Sequence, residues 1–231
     1  MATVTNNIPA EEVKEMFNII AQIAPKNKYS YISQSDVFIG RSDGINEKGL
    51  SIAMSFVYGT KIQTGIGFHF VVRKILENCS TTEQAIKLIK ETKVSSANNF
   101  LIADSSGDIA VVESAPQKSN IRRPEKNEKY IYITNQFHTK EMLPYDKGGV
   151  EWSKSIERYN GLKTSLKSIE KIDLQKAKSI LSDKCVCLDL KKEKFGTIWS
   201  VVANLNELKI ERAETKPTTK NYMTETRLDW W

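Results

Sequence analysis

The chain has 231 residues, 40% of them hydrophobic and 27% charged, which is enough to bury one full core and too well mixed for wholesale disorder. Its formal charge of +6 arises from 34 basic residues interleaved with 28 acidic ones, as in Glu11–Glu15, Glu125–Lys129 and Lys191–Lys194. No nucleic-acid motif accompanies those charges, so they read as a solvated surface and nucleic acid is excluded as a partner.

In chain order, Val13, Met16, Phe17 and Ile20 fall at helical spacing between Pro9 and Pro25 and predict an amphipathic helix over 9–24. With the polar break that follows, residues 1–28 form a helical extension ahead of a domain over 29–231. Short strands are expected at Tyr29–Ile32 and Val37–Gly40, and turn chemistry at Gly44–Gly49. Leu50–Val57 then alternates strictly: Leu50, Ile52, Met54 and Phe56 face one way, while Ser51, Ala53 and Ser55 face the other. A helix follows on Phe68, Val71, Val72, Ile75, Leu76 and Cys79. A second starts at a capping box over Ser80–Glu83 and buries Ala85, Ile86 and Ile89. Phe100–Ala103 and Ile109–Glu113 read as a hairpin, and Tyr130–Thr134 as a further strand. Helices are predicted around Trp152–Leu166 and Asp173–Leu181, and a closing hairpin at Thr197–Leu205 and Leu208–Ala213. Hairpin-linked strands with grouped helices indicate an α+β fold with antiparallel sheets.

Residues suited to chemistry are few. Cys79, Cys185 and Cys187 have no metal-ligand spacing, and the two histidines lie far from them, so neither metal nor cofactor is expected. Cys79 sits on an apolar helix stripe, where a buried inert thiol is the simpler reading. Reduced thiols suit the cytoplasm. No charged-then-apolar leader opens the chain, and no run of about 18 apolar residues suits a membrane span. His69 begins a helix, and His138 reads as a loop histidine. Asn135 ends an expected strand, where its amide suits either a turn or donation to a developing oxyanion.

Several stretches together resemble a known family. Asp43–Leu50 (DGINEKGL) followed by Ala53–Phe56 is similar to the DG-x-NEKGL stretch of choloylglycine hydrolases. It is equally similar to that of acyl-CoA:6-aminopenicillanic acid acyltransferase-like enzymes, peptidase family C45. Asn99–Asp104 with Val111–Pro116, Tyr132–Phe137, Ser155–Tyr159 and Phe195–Ser200 resemble further stretches of the second branch, in the same order. The resemblance implies an N-terminal nucleophile (Ntn) hydrolase fold, an αββα sandwich of two antiparallel sheets between helix layers. It implies cleavage or transfer at linear, non-peptide amide C–N bonds by an N-terminal cysteine whose α-amino group serves as base. By motif match Asn135 holds the oxyanion and Arg158 orients the acid groups or substrate. Ser55 stands where choloylglycine hydrolases have an oxyanion asparagine.

The chain departs from the family at its front. It opens Met1-Ala2-Thr3, its first cysteine is Cys79, and the predicted helix over 9–24 occupies the place of the nucleophile strand, so the fold is expected to be incomplete there. Trimming to expose Thr3 would offer another Ntn nucleophile. Two functions stay open: an amide hydrolase or acyltransferase needing a nucleophile this chain does not show, or a catalytically inactive pocket for an acyl amide or acyl-CoA-like ligand. The expected partner is a small-molecule acyl amide. A separately encoded N-terminal segment and a second copy of the chain are further partners left open.

Overall fold

The computed structural model describes residues 2–9, 19–35, 40–126, 128–167, 169, 171–190 and 195–226. In chain order the strands and helices begin with β1 (Ala2–Pro9), β2 (Ile19–Ile23), β3 (Tyr31–Ser35), β4 (Asp43–Asn46) and β5 (Ser51–Phe56). Helices α1 (Phe68–Asn78) and α2 (Thr82–Glu91) follow, then β6 (Asn98–Ala103), β7 (Ile109–Ser114) and β8 (Ser119–Arg122). The last third holds α3 (Ser155–Lys167), α4 (Leu174–Ser182), β9 (Asp189–Leu190), β10 (Phe195–Asn204), β11 (Lys209–Ala213) and β12 (Met223–Thr224).

The strands make two antiparallel sheets. Seven, β2 to β8, pair in sequence order as a meander; the other sheet runs β1-β10-β11-β12, with β9 also on β10. Side-chain alternation then sets the layers. Leu50, just ahead of β5, and Ile52 of β5 pack with Val71, Val72, Ile75 and Leu76 of α1 and with Ala85, Ile86 and Ile89 of α2, so these helices cover the seven-stranded sheet. Trp199, Val201 and Ala203 of β10 meet Ile32, Ile45 and Ala103 between the sheets. Val202, on the opposite face of β10, packs under Leu166 of α3 and Ala177, Ile180 and Leu181 of α4. The result is the expected α+β arrangement, helices outside and sheets face to face.

Asn46 shows why the DGINEKGL stretch has its composition. Its Nδ2 donates to Leu76 O (3.0 Å) and Cys79 O (2.7 Å), occupying carbonyls at the end of α1, while its Oδ1 accepts from Lys48 N and Leu50 N, both at 3.1 Å. Gly49 turns the chain at φ +76°, a conformation that favours glycine. A Cβ on Gly44 would lie 2.6 Å from Leu76 Cδ1 and 2.8 Å from Ile32 O, so a side chain there would push α1 off the sheet.

The structure differs from the sequence expectations in several places. The helix predicted over 9–24 does not reach its C-terminal part: Ile19–Ile23 is a strand paired with Tyr31–Ser35, and residues 10–18 lie outside the described residues. A short run rich in β-branched residues fits either period, and pairing to β3 decides it. Residues 2–9, expected to belong to a helical extension, form strand β1 along β10. Tyr130–Thr134 lies outside both sheets. Gly44–Asn46 pairs in β4 instead of turning, and the turn falls on residues 47–49. Residues 37–39 of the expected strand Val37–Gly40 lie outside the described residues, and Gly40 is in no strand. The α2 cap also sits one residue later than expected: Thr81 Oγ1 accepts from Gln84 N (3.3 Å), and Gln84 Oε1 accepts from Ser80 N (2.8 Å).

Candidate active site

A cavity of about 600 Å³ is lined by the small inner row of β5 (Ser51, Ala53, Ser55), by α3 and α4, and by residues 129–135. That size falls in the range of small-molecule sites. Apart from Arg158, the walls that α3 and α4 give it are apolar: Leu162, Leu166, Ala177, Ile180 and Leu181. Phe56, Phe68, Trp152 and Phe195 add aromatic walls, the last two in edge contact with ring centroids 5.0 Å apart.

Ser55, Asn135 and Arg158 all line this cavity. Arg158 sits in the first turns of α3, 8% exposed. Its Nη2 donates to Asn135 Oδ1 at 2.7 Å, and its Nε donates to Ser153 O at 2.8 Å. Asn135 Nδ2 in turn donates to Phe56 O at 3.0 Å, so its amide is held from both ends. Ser55 Oγ donates to Thr134 O at 2.7 Å, one residue before Asn135. Burial lowers the Arg158 pKa to about 10, with the nearby Glu157 opposing the fall, so the guanidinium stays charged at neutral pH. No ion pair reaches it among the described residues.

Asn99, which sequence patterning passed over as the start of a strand, organises this end. It is fully buried, and its Nδ2 lies 3.0 Å from Thr134 O, 3.0 Å from Gln136 O and 3.3 Å from Ser55 Oγ. Two hydrogens serve three acceptors, the nearer two being the carbonyls that flank Asn135. Glu113 fastens the chain just beyond: fully buried, it accepts from Arg122 Nε (2.9 Å), His138 N (2.9 Å), Thr139 N (3.1 Å) and Thr139 Oγ1 (2.7 Å). Polar residues inside otherwise apolar strands (NNFLIA and IAVVES) were the available signal.

The other sequence candidates lie away from this place. Among the described residues neither histidine nor any of the three thiols lines the cavity. Cys79 is buried in the α1 core, where burial raises its pKa to about 11. Asp183 raises that of Cys185, and burial that of Cys187. His138 stacks on Tyr159, ring centroids 3.7 Å apart, and burial with nearby Arg122 lowers its pKa to about 4. Among the described residues no group of three or more His, Cys, Asp or Glu side chains could hold a metal ion, and no helix is long and apolar enough to cross a membrane.

The sequence profile of the acyl-coenzyme A:6-aminopenicillanic acid acyl-transferase family matches residues 10–219. The chain belongs to this family. No curated protein matches it significantly. Solved structures similar to this member of the family include conjugated bile acid hydrolase from Clostridium perfringens, at TM-score 0.61 and 16% identity, over 98% of this chain and 86% of that one. Penicillin V acylase from Agrobacterium tumefaciens aligns at TM-score 0.58 and 16% identity, over 98% and 79%. A Caenorhabditis elegans ortholog of N-acylethanolamine-hydrolyzing acid amidase aligns at TM-score 0.58 and 16% identity, over 88% of each chain. At such identities the neighbours establish the fold, which is that of the Ntn hydrolases; family and neighbours together indicate amide hydrolase or acyltransferase ancestry.

Proposed function

We propose that the cavity holds an acyl amide with its carbonyl oxygen at Asn135, in the service of amide cleavage or acyl transfer at non-peptide bonds. One observation carries this reading: the Asn135 amide is fixed from both ends, by Phe56 O and by Arg158, on the wall of a largely apolar cavity. Its Nδ2 has two hydrogens, and the one not given to Phe56 is left for a ligand. Arg158 polarises the amide through Oδ1 and so strengthens the donors at its other end. A fixed neutral donor is worth most where negative charge grows on a carbonyl oxygen as the carbon becomes tetrahedral. Ser55, whose hydroxyl is committed to Thr134 O, takes a positioning part by holding the segment that carries Asn135.

Cleavage requires a nucleophile to add to the carbonyl, the C–N bond to break and the amine to leave with a proton, after which water releases the acid. Cys79, Cys185 and Cys187 lie off the cavity, so that addition is not given to them. The same observation favours a second reading, a pocket that holds an acyl amide or acyl-CoA-like ligand without chemistry. The three free thiols suit the cytoplasm as its place of work.

Incubation with a chromogenic acyl anilide, read for both turnover and binding, separates the two. Turnover that survives combined Cys79→Ala, Cys185→Ala and Cys187→Ala supports the first reading, and binding without turnover supports the second. In either case Asn135→Ala is expected to lower turnover about 100-fold, or affinity about tenfold, with urea unfolding unchanged. Unaltered binding and turnover in that variant would remove Asn135 from the site.

A further inference from the structure

We propose that the cavity takes a linear amide at two points: its carbonyl on Asn135, and a second oxygen function about a dozen chain atoms away on the hydroxyl of Ser51. This rests on the reading of Asn135 as the carbonyl donor, and adds a length and a second recognition group to it. The length comes from strand register. Ser51, Ala53 and Ser55 share the inner face of β5, and all three line the cavity. Ser51 and Ser55 are four residues apart, about 13 Å at the usual strand rise. On β6, Asn99 stands opposite Ser55 and Ala103 opposite Ser51, and Leu101 and Ala103 continue the same floor. Asn135 marks the Ser55 end, its Nδ2 donating to Phe56 O at 3.0 Å. The segment that carries it follows the floor. Thr134 O accepts from Ser55 Oγ, and two residues earlier Tyr132 O accepts from Arg122 Nη2 at 3.0 Å. Arg122 pairs with Val111, Val111 with Leu101, and Leu101 with Ala53, so the segment steps towards the level of Ser51 as it runs back.

Ser51 supplies the group a ligand would use at the far end. It is 4% exposed, and its hydroxyl has no hydrogen-bond partner among the described residues. Ser55, in the same row, is by contrast committed to Thr134 O. Asp104, which lines the Ser51 end, is already engaged by Thr82 N (2.7 Å) and by Ser106 N (2.9 Å). A buried hydroxyl without a partner is costly, and a ligand oxygen placed against it removes that cost. An extended chain covers about 3.3–3.6 Å per three bonds, so 13 Å corresponds to about a dozen chain atoms. Either the acyl or the amine side of the amide can supply that chain. Ser51 also borders a void of about 20 Å³ beside Asp43 and Arg212, room for one water. A hydroxyl satisfied from that side would give the chain no preference for an oxygenated ligand.

Calorimetric titration of the purified chain with two matched pairs of amides tests this. The pairs are N-butyl-12-hydroxydodecanamide with N-butyldodecanamide, and N-(10-hydroxydecyl)butanamide with N-decylbutanamide. In one pair the hydroxylated amide is expected to bind about tenfold more tightly than the plain one. The pair that shows it identifies the side of the amide that lies along β5. Ser51→Ala should abolish the preference while leaving the plain amide bound as before, and N-butyl-6-hydroxyhexanamide, too short to reach, should bind both chains equally. A preference that persists in Ser51→Ala overturns the assignment to Ser51. Plain amides that bind as tightly as their hydroxylated partners to the wild-type chain overturn the proposal without any variant having to fold, and leave the acyl-amide reading standing. Binding of none of the amides sinks both.

Discussion

At the scale of single residues, the site depends on side chains that never reach a ligand. Asn99 holds the carbonyls on both sides of Asn135, so its loss would free the segment that presents the donor. Asn99→Ala takes the donor from Gln136 O and leaves Thr134 O with Ser55 Oγ alone, at a cost of about 1–3 kcal/mol. Asn99→Asp is expected to be worse, because it sets a carboxylate against two carbonyl oxygens. Beyond the lost stability, Asn99→Ala should weaken ligand binding about tenfold and speed amide hydrogen exchange at 135–137 under native conditions. A stability loss with unchanged affinity and exchange would make Asn99 a core residue only. Asn135 and Arg158 stood out in the sequence because the TNQF and SIERY stretches resemble family motifs, and the structure puts both on the wall of one cavity. Asn99 was not, since an amide ahead of an apolar run looks the same whether it faces solvent or a carbonyl pair.

At the scale of elements, residues 130–139 form an ordered strap that belongs to neither sheet. Tyr132 and His138 both pack on Tyr159 of α3, with ring centroids 4.5 and 3.7 Å away, and Glu113 of β7 anchors the far end. The alternation of Ile131 and Ile133 predicted a strand there, but period alone cannot say whether backbone groups find a partner strand. Here side chains of Asn99, Ser55 and Arg122 take carbonyls of the strap instead.

The stack gives the strap a pH dependence. Burial and Arg122 hold the folded-state pKa of His138 near 4, below its ordinary value of 6.5. Above 6.5 the imidazole is neutral in both folded and unfolded chains, and contributes no pH dependence. As pH falls from 6.5 towards 4 the unfolded chain binds a proton that the folded chain refuses, so stability declines across that window. The loss should be about 1–2 kcal/mol once partial exposure is allowed for. Urea unfolding at pH 7.5 and pH 4.5 should show a smaller pH-dependent loss in His138→Phe than in the wild-type chain. Equal losses would mean that groups other than His138 account for the acid sensitivity.

At the scale of the whole molecule, face-to-face sheets leave the small inner row Ser51, Ala53 and Ser55 beside a cavity, while the large row Leu50 and Ile52 anchors the α1 and α2 layer. That division was readable from the alternation in Leu50–Val57, as were both helix pairs and the closing hairpin. The strands at 2–9 and 19–23 were not, because their pairing partners, β10 and β3, lie far off in sequence or follow a polar break. The whole layered body thus places one amide donor beside a buried cation on the wall of a cavity, and the central claim is that this donor meets a carbonyl.

The most direct test is the ¹³C NMR shift of an acyl amide labelled at its carbonyl carbon, free and bound. A hydrogen bond from Asn135 should move the carbonyl resonance downfield on binding to the wild-type chain, with most of that shift lost in Asn135→Ala at matched saturation. A bound ligand whose carbonyl shift stays at its free value, or moves equally in the variant, would contradict the account.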